Sequence, residues 1–185
     1  MRSESWAYEL ACERLSVSLP QRWAHVEAVA RRAGTASVVV GDGAGVLWTA
    51  AVLHDVGYAP ELAATGLHSL DGARFLRGLG VDERVVGLVA FHSAARWDAE
   101  LAGLASSLGE FVDEGPTVVR DALWWADMTV GPDGAVVGFE ERMAEVRRRY
   151  GPDHAVSRAV NASLSERAEA VNRTESRLRA AGVQV

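Results

Sequence analysis

The chain has 185 residues, 49% of them hydrophobic, and a formal net charge of −6. That length favours one domain with a real core, and that composition excludes a disordered chain. The acidic balance argues against a surface built to coat nucleic acid or an anionic membrane, so neither a nucleic-acid polymer nor a membrane is an expected partner.

In chain order, the N-terminal stretch MRSESWAYELACERL is amphipathic and mixed in charge, without the basic start and apolar core of a signal peptide. No apolar stretch is expected to reach the roughly 20 residues that cross a bilayer, and a cytoplasmic protein is the expectation. Trp6, Leu10, Glu13 and Val17 lie along a first helix that stops near Leu19 and Pro20. It carries the lone Cys12, read as a small buried or half-buried residue. One cysteine excludes internal disulfides and a cysteine-rich zinc site.

QRWAHVEAVARRAG forms a second helix, with Trp23, Val26, Val29 and Ala30 on its apolar side and Gly34 as its stop. In the SVVVGDGAG that follows, Val46 occupies the third glycine position of a dinucleotide-binding loop, and no βαβ alternation continues it. A loop or flexible helix entrance is expected there. LWTAAVLHDVGYAP is a buried third helix, because Leu47, Ala50, Ala51 and His54 recur at helical spacing. HSLDGARFLRGLG and DERVVGLVAFHSAA predict the fourth and fifth helices, and DAELAGLASSL and VVRDALWWADM two more. FEERMAEVRRRY and the long AVSRAVNASLSERAEAVNRTESRLRAAG close the chain. Their arginine and glutamate alternation reads as a solvated face with a narrow apolar seam, a possible homodimer surface. No repeat or linker interrupts this order, so the expectation is an all-α, single-domain bundle.

Against that apolar background a few polar residues stand out. His25 lies between Trp23 and Val26, His54–Asp55 ends an apolar run, His92 follows Leu88 to Phe91, and Asp127 follows Leu123 to Ala126. Buried imidazoles and carboxylates need partners. A metal would accept the lone pairs and neutralise the carboxylates together. Histidine and carboxylate donors without thiolates suit Fe, Mn, Zn, Co or Ni. All 19 basic residues are arginine, which removes lysine-based phosphate loops and Schiff-base chemistry. Anion recognition therefore falls to arginine, backbone N–H groups or metal.

The order His25, His54–Asp55, Asp127, with RWAHVEAVA, AAVLHDVGY and WWADM around it, resembles the HD-domain metal-dependent phosphohydrolase superfamily over roughly residues 20–130. The helices at about 138–182 would then be an addition to an HD-type core. His68 in TGLHSLDGARFL and His92 in VAFHSAARW match the extra histidines of the subgroup that holds two metals. The resemblance implies a site of six ligands, His25, His54, Asp55, His68, His92 and Asp127. It implies two divalent ions with Asp55 bridging them as the central catalytic carboxylate, and a small phosphorylated metabolite or nucleotide as substrate. A metal-activated water would attack phosphorus. The same ligand pattern serves some HD-type di-iron oxygenases that cleave C–C or C–P bonds, which is the alternative.

Many family members carry a basic residue shortly after the pair, where this chain has Tyr58. Arg22, three residues before His25, and Arg96, four after His92, are therefore the candidate substrate-binding cations. Asp71 either orients His68 or sits in the first turn of its helix. Trp124 and Trp125 are read as core, and His154 as an exposed turn residue.

Overall fold

The computed structural model describes residues 4–185, leaving residues 1–3 of the N-terminal stretch outside it. Among the described residues the chain is helical, with one isolated antiparallel bridge, Val130–Val136, and no strand. The helices are α1 (Glu4–Leu15), α2 (Pro20–Val40), α3 (Ala44–Leu53), α4 (His68–Gly78) and α5 (Glu83–Ala90). They continue as α6 (Ala95–Leu101), α7 (Ala105–Leu108), α8 (Val118–Met128), α9 (Phe139–Tyr150) and α10 (Ala155–Ala180).

The apolar run of α3 makes it the axis of the fold. Leu47, Ala50, Ala51, Val52 and Leu53 are at most 1% exposed, and α1, α2, α5 and α8 pack around them. A helix apolar on all sides must be enclosed in this way. Trp124 and Trp125 of α8 belong to this core, as expected, at 1% and 0% exposure. Arg120 lies over the first ring at 4.4 Å and Arg32 over the second at 4.1 Å. The long α10 packs along α8 and against α6 and α9. Its apolar seam, including Val160, Ala170, Val171 and Leu178, is therefore buried within the chain.

Two expectations about the second helix need correction. Gly34 does not end it; α2 runs through Ala36 to Val40 and stops at Gly41, whose φ is +62°. One interior glycine costs about 1 kcal/mol, which packing of Ala33 and Ala36 in the core outweighs. The SVVV segment is accordingly the last turn of this helix. The run Pro20–Tyr58 also meets the length and hydropathy of a membrane span, contrary to expectation. In the fold it is split by the short 3-10 turn Gly41–Gly43 into α2 and α3, which pack against each other.

Candidate metal centre and its cavity

Helix ends converge on one point. The C-terminal end of α3 is followed by His54 and Asp55, the end of α5 delivers His92, and the last turn of α8 carries Asp127. Unpaired carbonyls make a helix C-terminus electronegative, so these ends favour a cation between them. His25 reaches the same point from within α2, a helix that Pro20 helps to start. His68 opens α4. His25, His54, Asp55 and His92 are 3% exposed or less.

Gly57 explains how His68 arrives. A Cβ there would lie 2.0 Å from the His68 carbonyl oxygen and 2.5 Å from the Gly72 nitrogen. Only glycine lets the turn after Asp55 approach α4 so closely. Asp71 does not orient His68. It accepts hydrogen bonds from the Ala64 and Thr65 amides and the Thr65 hydroxyl, pinning the loop before α4. His92 is followed by Ser93 and Ala94, both left-handed at φ 49° and 59°. That sharp reversal points the Ser93 hydroxyl at the Asp127 carboxylate, to which it donates.

The donor atoms form two clusters, His25–His54–Asp127 and Asp55–His68–His92, each compact enough to hold a metal ion. Asp55 faces both with different oxygens. Its Oδ2 is 3.3 Å from His54 Nε2 and 3.9 Å from His25 Nε2. Its Oδ1 is 3.4 Å from His68 Nε2 and 3.8 Å from His92 Nε2. Asp127 Oδ1 lies 3.0 Å from His25 Nε2.

Three of the imidazoles are oriented by backbone carbonyls. Nδ1 of His25, His54 and His92 lies 3.0, 2.7 and 2.6 Å from the oxygens of Gly131, Ala51 and Val89. An N–H donated there leaves each Nε2 lone pair aimed at the centre, as metal-binding histidines require. Without a cation the arrangement is unsatisfied. His54 Nε2 is buried with no hydrogen-bond partner, and the Nε2 atoms of His68 and His92 face each other at 3.1 Å. The donor set therefore fits divalent metal.

The lowered carboxyls of Asp55 and Asp127 agree with a cation at the centre, and a proton on His54 or from His25 can stand in for it. Burial opposes ionisation of Asp55, yet Arg22 and His54 hold its carboxyl well below the usual range. Burial likewise opposes ionisation of Asp127, and the His25 hydrogen bond and His54 outweigh it. Burial disfavours the His54 cation, but Asp55 beside it takes the pKa up to about 9. His68 moves the other way, pushed down to about 3 mainly by burial. Burial and the nearby His54 also lower His92.

Asp55, His68, His92 and Asp127 face a cavity of about 430 Å³. Arg22 stands at it, with its Nη1 donating to Asp55 Oδ2 at 2.7 Å. Its guanidinium lies 4.2 Å from the centroid of the Tyr58 ring, and that ring stacks on His68 at 4.0 Å. Tyr58, at the position where the resemblance led to the expectation of a basic residue, thus buttresses a histidine. Arg96 is not among the lining residues. It donates to Glu166 at 2.6 Å and is 46% exposed. The helix breaks at Phe91, so spacing by four no longer means a shared face.

Sequence reasoning missed the wall supplied by the C-terminal helices. Arg142, Met143, Arg149 and Tyr150 of α9 and Val160 and Arg167 of α10 line the cavity; His154, exposed as expected in the turn that opens α10, stands at its edge. The buried positions of α9, spaced at one turn, were the available signal.

Two histidine–carboxylate clusters on converging helix ends, one aspartate facing both, form a candidate metal centre in a helical protein. A family model described as HD domain matches residues 22–122. The chain belongs to the HD domain family, within the superfamily of metal-dependent phosphohydrolases. Asp127 and the helices α9 and α10 lie beyond the matched residues. No curated protein and no solved structure matches the chain.

Proposed function

We propose that the protein hydrolyses a phosphate ester of a small metabolite or nucleotide, using two divalent ions. The observation that carries this reading is Asp55, whose two oxygens face separate histidine clusters. In it, His25, His54 and Asp127 would hold one ion and His68 and His92 the other, with a carboxylate oxygen of Asp55 available to each. Bound ions supply Lewis acidity, lowering the pKa of water toward neutrality and stabilising charge on phosphoryl oxygens.

The chain's own residues do the rest. The backbone carbonyls of Gly131, Ala51 and Val89 fix the imidazole tautomers. Arg22 holds Asp55 ionised and presents a guanidinium at the cavity, suited to a phosphoryl oxygen. Met143 and Val160 give the cavity an apolar side that suits the body of a compact substrate.

Phosphate release from a panel of small esters tests the reaction. Release should require Mn, Fe, Co, Ni or Zn and proceed equally in air and without oxygen. An oxygen-dependent product, with no phosphate from any ester, would replace this reading with an HD-type oxygenase.

A further inference from the structure

The arginines lining the cavity are Arg22, Arg142, Arg149 and Arg167. Three of them are held by carboxylates. Arg22 donates to Asp55 at 2.7 Å, Arg142 donates to Glu145, and Arg149 donates to Glu145 at 2.8 Å. Arg167 differs. It is 6% exposed, yet its nearest carboxylate oxygen, Asp98 Oδ2, is 4.0 Å away.

Its one hydrogen bond is made by Nε, which donates to the Ser163 hydroxyl at 2.6 Å. That hydroxyl donates in turn to the Ala159 carbonyl at 2.7 Å, inside the same helix. The guanidinium is thereby locked from behind, with its terminal nitrogens free of hydrogen bonds at the cavity. A buried cation without a bonded anion is costly. A preset planar fork of N–H donors is also what recognises carboxylate and phosphate oxygens bidentately.

We propose that Arg167 is an anion receptor of this cavity, additional to Arg22, and contacts an oxyanion of the substrate, carboxylate or phosphoryl. The inference rests on reading the cavity as the substrate site. It adds that an arginine on α10, outside the matched family region, selects for an anionic group, with Asp98 tuning its strength by proximity.

Calorimetric titration of the metal-loaded protein with inorganic phosphate, and separately with acetate, tests this without turnover. Arg167→Gln should weaken binding of the preferred probe roughly ten- to hundredfold and leave bound metal unchanged. Asp98→Asn keeps Arg167 and removes its nearest carboxylate, so it should tighten that probe roughly two- to tenfold. The tighter of the two probes identifies the oxyanion. Wild-type affinity in Arg167→Gln, or loss of metal from it, would overturn the proposal. If Arg167→Gln does not fold, unchanged or weaker binding in Asp98→Asn overturns it instead. Oxyanion binding that depends on Arg167 would stand even if no ester were hydrolysed.

Discussion

At the scale of single residues, Asp55 is the hinge of the site, because one carboxylate serves two sets of imidazoles. His68 and His92 address only its Oδ1 side, while His25 and His54 address Oδ2. Changing His68 and His92 together to alanine should therefore reduce bound metal from two ions per chain to one, measured by elemental analysis after loading. Wild-type protein saturating at one ion would refute the two-ion reading and leave the His25–His54–Asp127 cluster standing. These candidate residues were legible in the sequence because a lone polar residue on an apolar helix is conspicuous, and the structure brings all six into the two clusters. Arg96 and Arg167 show where that legibility stops. Spacing placed Arg96 beside His92 only if the helix continued, and the left-handed Ser93–Ala94 reversal ends it. Arg167 looked like one more surface arginine, since nothing local reveals that its face of α10 meets a cavity.

At the scale of elements, the site depends on how closely α4 approaches the turn that follows α3. Gly57 and Gly72 meet there, a Cβ on Gly72 lying 3.1 Å from the Gly57 nitrogen. Gly57→Ala places a methyl group against backbone, which cannot yield as a side-chain tip would. We expect a loss of about 2–3 kcal/mol, as for overpacking, and a Tm lower by roughly 5–10 °C. An ion bound through His68 and His92 should be lost while one bound through His25, His54 and Asp127 remains. Gly78, in the last turn of the same helix, has open space around its Cβ position. Gly78→Ala should be neutral or stabilising by up to about 1 kcal/mol, a control that separates packing from composition. Equal melting of the two variants would remove the close-approach argument. Most of the helices were legible from apolar periodicity. The continuation of α2 past Gly34 was not, because tertiary packing overrides a weak local stop signal.

At the scale of the whole molecule, helices from the matched region and helices beyond it enclose one cavity around buried charge. His54 and Asp55 sit at the heart of the core with 0% and 2% exposure, and His54 Nε2 has no hydrogen-bond partner. The unfolded chain hydrates these groups freely, so the folded state alone gains from a cation that neutralises them. A ligand that binds only the folded state stabilises it by about 2.7 kcal/mol at a hundredfold excess over Kd. For a chain of 185 residues this corresponds to a Tm increase of roughly 5–10 °C per site. Adding Mn, Zn or Fe to chelator-treated protein should therefore raise Tm in two saturable steps, and chelator should reverse them. Loss of His54 should remove the first-cluster step, because His54 is one of the three donors of that cluster. A Tm indifferent to every divalent ion, in protein that melts cooperatively, would mean that the buried cluster holds no metal.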